Sequence, residues 1–186
     1  MKELSLNILD IAENSVKAGA SLTEILLDQT EEILTITIRD DGCGMDAQTV
    51  SRVTDPFYTT RTTRPVGLGL PLLKLEAEMT GGTVTVESKH QAEYPQDHGT
   101  TVQAVFYHTH IDCPPLGDVG GTIVTLIQGH PDTDFLFRHA REGREAVELD
   151  TRMIREVLGE VPLNSFEVLQ WIQGSLTEDY QSWETT

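Results

Sequence analysis

Apolar residues recur at helical spacing through the first part of the chain. Leu4, Ile8, Ile11, Ala12 and Val16 share one face, while Asn7, Asp10, Asn14 and Lys17 fall on another. The spacing predicts a helix from about Lys2 to Ala18, with Gly19 after its end as a C-cap. The period then changes to two. Thr23 to Asp28 and Ile33 to Arg39 read as strands, and the break at Thr30-Glu31-Glu32 joins them as a hairpin. Asp40-Asp41-Gly42-Cys43-Gly44 is a Gly-rich turn, and Asp46 is placed to cap a short helix reaching about Val53. From Asp55 to Val66 periodicity fails, and the Thr, Arg and Pro content predicts an exposed loop. Gly67-Leu68-Gly69-Leu70 opens a second long helix, with Pro71 in its first turn and Gly81-Gly82 after its end. Thr83 to Ser88 and Thr101 to Tyr107 read as two further strands. The expected architecture is α+β: a two-layer sandwich of helices on one face of a mainly antiparallel sheet.

Cys113-Pro114-Pro115-Leu116-Gly117 divides the chain into two expected domains, residues 1–112 and 113–186. Gly121 to Gln128, rich in β-branched residues, is predicted as a strand. Phe135 to Ala140 and Ala146 to Asp150 bracket a turn and read as a hairpin. Asp150 or Thr151 caps a helix through Leu158, and Ser165 caps another through Ile172. This second part is expected to be a small α/β extension that stabilises the first or docks a partner. It carries no motif tied to chemistry.

Composition narrows the classes of function. Of 186 residues, 38% are hydrophobic and 23% charged, enough to bury a core without staples. Thirty acidic against 13 basic residues give a net charge of −17, which opposes binding to nucleic acid or an anionic membrane. No apolar run reaches the ~20 residues of a membrane span, and the first residues lack a signal peptide's apolar core. A cytoplasmic location is the expectation. Cys43 and Cys113 fit neither a disulfide framework nor a zinc spacing. His139 is expected as a surface or hairpin histidine.

Three groups of residues carry candidate chemistry. Asp10 and Asn14, at i and i+4, stand one above the other on a helix. An Asn amide oxygen can ligate Mg²⁺, and a carboxylate one turn away can orient one of the metal's waters or accept a proton, so Asp10 is the candidate general base. Asp40, at the end of a strand, can accept the exocyclic amino group of adenine, and the glycines after it let backbone approach the ring. The turn Gly67 to Leu70, feeding a helix N-terminus and preceded by Arg61 and Arg64, suits a polyphosphate. Gly99-Thr100-Thr101 begins the last strand of this half, where the Thr100 hydroxyl can support Asp40 through water.

In this order the segments resemble the GHKL ATP-binding domain shared by gyrase-type topoisomerases, heat-shock chaperones, sensor histidine kinases and mismatch-repair ATPases. Ile8 to Ala20 is similar to its N box and Arg39 to Met45 to its first glycine box. Asp55 to Arg61 is similar to the kinase phenylalanine box, Gly67 to Leu70 to the second glycine box, and Gly99-Thr100-Thr101 to the last. The resemblance spans residues 1 to about 108 and implies a Bergerat-type fold that takes ATP and Mg²⁺. It implies nucleotide contacts from Asn14, Asp40, Gly42, Gly44, Met45, Phe57, Arg61, Gly67, Leu68, Gly69, Leu70 and Thr100, with Mg²⁺ on Asn14. Two departures bear on turnover. Asp10 stands where hydrolysing members usually carry Glu and kinases Asn, and Arg64-Pro65-Val66 replaces a Gly-x-Gly-Thr in the lid. The expected function is a Mg·ATP-binding, kinase-like ATPase domain that signals through a separate protein partner or phosphoacceptor. Two alternatives stand beside it: a nucleotide-sensing subunit with little turnover, and a mismatch-repair-like ATPase, suggested by Glu13-Asn14-Ser15 and Ala18-Gly19-Ala20.

Overall fold

The computed structural model describes residues 3–55 and 69–184. Among these residues six strands form one sheet in the order β3-β4-β2-β1-β5-β6. They are β1 (Leu22–Gln29), β2 (Ile33–Asp40), β3 (Thr83–Lys89), β4 (Gly99–Tyr107), β5 (Asp134–Arg141) and β6 (Val147–Asp150). All neighbours pair antiparallel except β1 and β5, which run parallel with Leu22 opposite Asp134. The helices are α1 (Leu4–Lys17), α2 (Ala47–Val50), α3 (Gly69–Met79), α4 (Val119–Gly129), α5 (Thr151–Leu158) and α6 (Phe166–Ser182).

Alternation fixes which face of the sheet is covered. Ile25 and Leu27 on β1, Leu34, Ile36 and Ile38 on β2, and Phe135 and Phe137 on β5 are all buried. Their neighbours of opposite parity, such as Thr35, Thr37 and Arg138, are half-buried or exposed. Over the buried face α3 packs on β3 and β4, α1 on β1 and β2, α4 on β5, and α6 on β6. The result is the expected α+β two-layer sandwich. Among the described residues no helix is long and apolar enough to cross a membrane.

The segment around residue 113 changes composition without interrupting the sheet or its core. The backbone N–H groups of Leu4 and Ser5, orphans of the first turn of α1, donate to Pro115 O and Leu116 O at 2.9 and 2.8 Å. The β5–β6 hairpin adds to the β1 edge, and Phe135, Phe137, Ile123 and Ile172 join the cluster that holds Ile8, Ile25 and Ile36.

One predicted element changes type. Gly121 to Gln128, expected as a strand, lies within helix α4. Asp118 caps it, accepting from Gly121 N at 2.8 Å, and Val119, Thr122, Ile123, Leu126 and Ile127 are buried at helical spacing. Tertiary burial of that stripe overrides the β-branched propensity. Helix α6 also continues past Ile172 to Ser182. Asn7, expected on a polar face of α1, is buried and donates through Nδ2 to the Glu76 carboxylate on α3.

Candidate functional site

The end of β2 carries two adjacent aspartates with different partners. Asp41 accepts from Ser21 N at 2.7 Å, from the Ser21 hydroxyl, and from Leu22 N at 2.9 Å. Burial pushes its carboxyl up, but the hydrogen bonds from Leu22 and Ser21 outweigh this and hold it below the ordinary carboxylate range. Asp40 lies on the opposite parity, toward α1. Its Oδ2 accepts from Ser15 Oγ at 2.7 Å and its Oδ1 from Gly42 N at 2.9 Å. An ionised carboxylate offers about four lone-pair positions, so these two bonds orient Asp40 and leave acceptor capacity.

The turn after Asp40 is pressed onto the β3–β4 pair. Gly44 has φ +67°, and a Cβ there would come within 1.9 Å of Lys89 O, so only glycine fits. Cys43 N donates to Ala18 O at 2.9 Å, and His98 Nδ1 donates to Gly42 O at 2.6 Å. Met45 N donates to Ser88 Oγ at 2.7 Å, and Ser88 Oγ lies 2.8 Å from Thr100 Oγ1. Thr100 therefore bonds directly to Ser88 and supports the turn at Met45, although it stands opposite Asp40 in the β2–β4 register. Asp40, Gly42, Gly44, Met45 and Thr100 thus gather at one end of the sheet.

Helix α1 brings Asp10 and Asn14 to the same side. Asp10 lies against Gly69, the first residue of α3, where a Cβ would come within 2.0 Å of Asp10 Oδ2. Leu70, next in α3, is buried in the core. Glu13 is engaged elsewhere: its Oε1 is 2.7 Å from His130 Nε2, and Lys17 Nζ is 3.3 Å from its Oε2. Burial pushes the Glu13 carboxyl up, but His130 and Lys17 outweigh that and lower it. Among the described residues no three His, Cys, Asp or Glu side chains gather as a metal site. Phe57, Arg61, Gly67 and Leu68 lie outside the described residues.

Two contributors were not singled out from the sequence. Ser15 continues the buried face of α1 formed by Ile8, Ile11 and Ala12, and a hydroxyl on an apolar face signals a buried partner. Ser88, at the end of β3, carried no such signal.

Residues 2–110 match the model of the family described as histidine kinase-, DNA gyrase B-, and HSP90-like ATPase. The heme sensor protein HssS of Staphylococcus saprophyticus is 34% identical over 100 residues, which is 52% of this chain and 20% of that protein. A probable C4-dicarboxylate sensor kinase of Bacillus subtilis is 35% identical over 92 residues, 50% of this chain and 16% of that one. The match thus spans a fifth or less of these relatives. Among solved structures, the Aquifex aeolicus MutL ATPase domain complexed with ADP superimposes with a TM-score of 0.57 at 16% identity, covering 85% of this chain and 69% of that one. The N-terminal domain of a DNA repair protein gives 0.58 at 16% identity over 81% of this chain and 53% of its own. At such identity these two share the fold alone. The matched 85% of the chain, about 158 of 186 residues, exceeds the 109 of the family match, so the shared fold takes in part of the segment beyond residue 110. This chain belongs to the histidine kinase-, DNA gyrase B-, and HSP90-like ATPase family.

Proposed function

We propose that this chain binds Mg·ATP and acts in signalling or regulation through a separate protein partner. One observation carries the proposal: Asp40 is oriented by Ser15 and Gly42 at the end of β2, with acceptor capacity left and a glycine turn beside it. A preoriented acceptor selects a base that carries an amino donor and rejects one that presents a carbonyl there. In this reading Asn14 offers its amide oxygen to Mg²⁺, which keeps several waters and needs few protein ligands. Asp10 takes the proton of an attacking water, and Gly69 and Leu70 place the start of α3 near the phosphates. The bound nucleotide supplies the phosphoryl group. Phe57, Arg61, Gly67 and Leu68 complete the pocket by resemblance.

The nucleotide-sensing alternative, with little turnover, is favoured by Asp10 itself. Its side chain is one methylene shorter than Glu, and a misplacement of ~1 Å can cost ~10²-fold in rate. A mismatch-repair-like role is disfavoured by the charge of −17, since work on DNA needs a basic surface. Titration of ATP and GTP into wild type and Asp40→Asn tests the proposal. ATP is expected to bind in preference to GTP, and Asp40→Asn to weaken ATP by ~10–100-fold, the worth of one hydrogen bond to a charged group. Equal affinities for the two bases, or for the two proteins, would overturn it.

A further inference from the structure

Between α5 and α6 runs an open apolar groove of about 500 Å³, lined by Met153, Ile154, Val157, Leu158, Val168 and Trp171. Met153 is 60% exposed, Val157 88% and Trp171 59%. Singly, exposed apolar residues need no explanation. Three large ones lining one groove, including Trp and Met, have the composition of an interface core.

The charge around the groove selects the occupant. Arg152 pairs with Asp150 at 2.7 Å and Arg155 with Asp134 at 2.7 Å, so both cations of α5 are neutralised within the chain. Glu167 lines the groove, while Glu156 precedes Val157 on α5 and Glu160 follows the helix end. None of these three makes an ion pair with another described residue. The whole segment from residue 113 contains no lysine, with 13 acidic residues against five arginines. A second copy of the chain would set glutamates against glutamates and −17 against −17.

We infer that this groove docks an amphipathic helix of another protein, with an apolar stripe at i, i+3, i+4, i+7 spacing flanked by Lys or Arg. The stripe fills the floor between Ile154 and Val168 and stacks on Trp171, and its flanking cations meet Glu156, Glu160 and Glu167. The inference gives the partner of the proposed function a surface. It rests on that reading only for its use, since the groove contains none of the residues assigned to nucleotide.

The test uses the full chain and two synthetic 16-residue peptides of leucine and lysine. One has leucines on a single helical face, and the other has the same composition with leucines distributed around the helix. The one-faced peptide is expected to bind, shift Trp171 emission to the blue, and weaken at least 10-fold with Val157→Arg. The triple change Glu156→Gln, Glu160→Gln, Glu167→Gln is expected to flatten its salt dependence. Val157 is nearly bare, so its replacement leaves the fold intact, as retained circular dichroism and ATP titration will report. Equal binding of both peptides, or indifference to Val157→Arg, would overturn the inference. So would a concentration-dependent dimer in sedimentation that Val157→Arg disperses, because a second copy would then be the occupant. Loss of ATP binding with the peptide still bound would instead count against the nucleotide assignment alone.

Discussion

Neighbouring carboxylates in this chain are separated by what already holds them. Asp41 is tied to Ser21 and Leu22 and closes a turn, whereas Asp40 is oriented and open. On α1, Glu13 is held by His130 and Lys17, while Asp10 rests at the start of α3. Under the proposed function the same logic favours Asp10 as the base, because Glu13 is already a strut between α1 and His130 at the end of α4. Under the proposed function slow hydrolysis is expected from the isolated protein, because the short Asp10 side chain weakens base assistance and Arg64-Pro65-Val66 supplies fewer glycines than the resembled family's sequence does there. In a phosphate-release assay Asp10→Asn should abolish what activity exists, Asp10→Glu should raise it by restoring reach, and Glu13→Gln should leave it within about twofold. Fast turnover insensitive to Asp10→Asn would move the base elsewhere. The places of Asp10 and Asn14 on α1 and of Asp40 at the end of β2 were legible because spacing and strand ends are written in one dimension. The partners that sort one carboxylate from the next come from distant segments, as Ser21 does for Asp41 and His130 for Glu13.

At the scale of elements, the approach of Asp10 on α1 to the start of α3 depends on one absent side chain. At Gly69 a Cβ would meet the Asp10 carboxylate, the movable end of a short side chain, rather than backbone. Gly69→Ala should therefore displace Asp10 at little cost in stability, with the unfolding free energy from urea titration changed by no more than about 0.5 kcal/mol and hydrolysis reduced. An unchanged rate would show that Asp10 does not act from this position. The helices and strands themselves were mostly legible, because the period-two runs of β1, β2 and β5 and the helical stripe of α1 are strong patterns. Helix α4 was not. Thr122-Ile123-Val124-Thr125-Leu126-Ile127 reads as a strand by propensity, and only the layer of α1 and α6 packed against it makes a helix the better way to bury it. Asn7 misled for a related reason: its partner Glu76 lies 69 positions away, so its burial has no local trace.

For the molecule as a whole, acid sensitivity centres on a histidine. His139, on the buried face of β5, is 1% exposed, its Nδ1 is 2.9 Å from Tyr180 Oη, and its ring packs edge-on to Trp183. Burial, aided by the charge of Arg141, pushes its pKa down to about 4 from an ordinary 6.5. The folded state therefore holds His139 neutral while the unfolded chain takes up a proton, so this contribution is whole above pH 6.5 and is lost as pH falls toward 4. The loss amounts to about 3 kcal/mol at most. Urea unfolding across that window should show stability falling with pH in wild type and a flatter profile in His139→Gln; parallel profiles would deny the histidine this role. The lowered carboxylates, Glu13, Asp41 and Asp150 among them, lose their contribution only as pH falls below about 5, so the histidine is read between pH 6.5 and about 5. The parallel pairing of β1 with β5 also has a consequence for how the chain is made. Leu22 must wait for Asp134, 112 positions later, before its strand is flanked on both sides. At roughly 5–20 residues per second the ribosome takes roughly 6–20 s to deliver that partner. Through that interval a nascent chain already able to build β2-β1 and β3-β4 carries β1 as an open apolar edge, the segment on which a chaperone or a second nascent chain would first take hold.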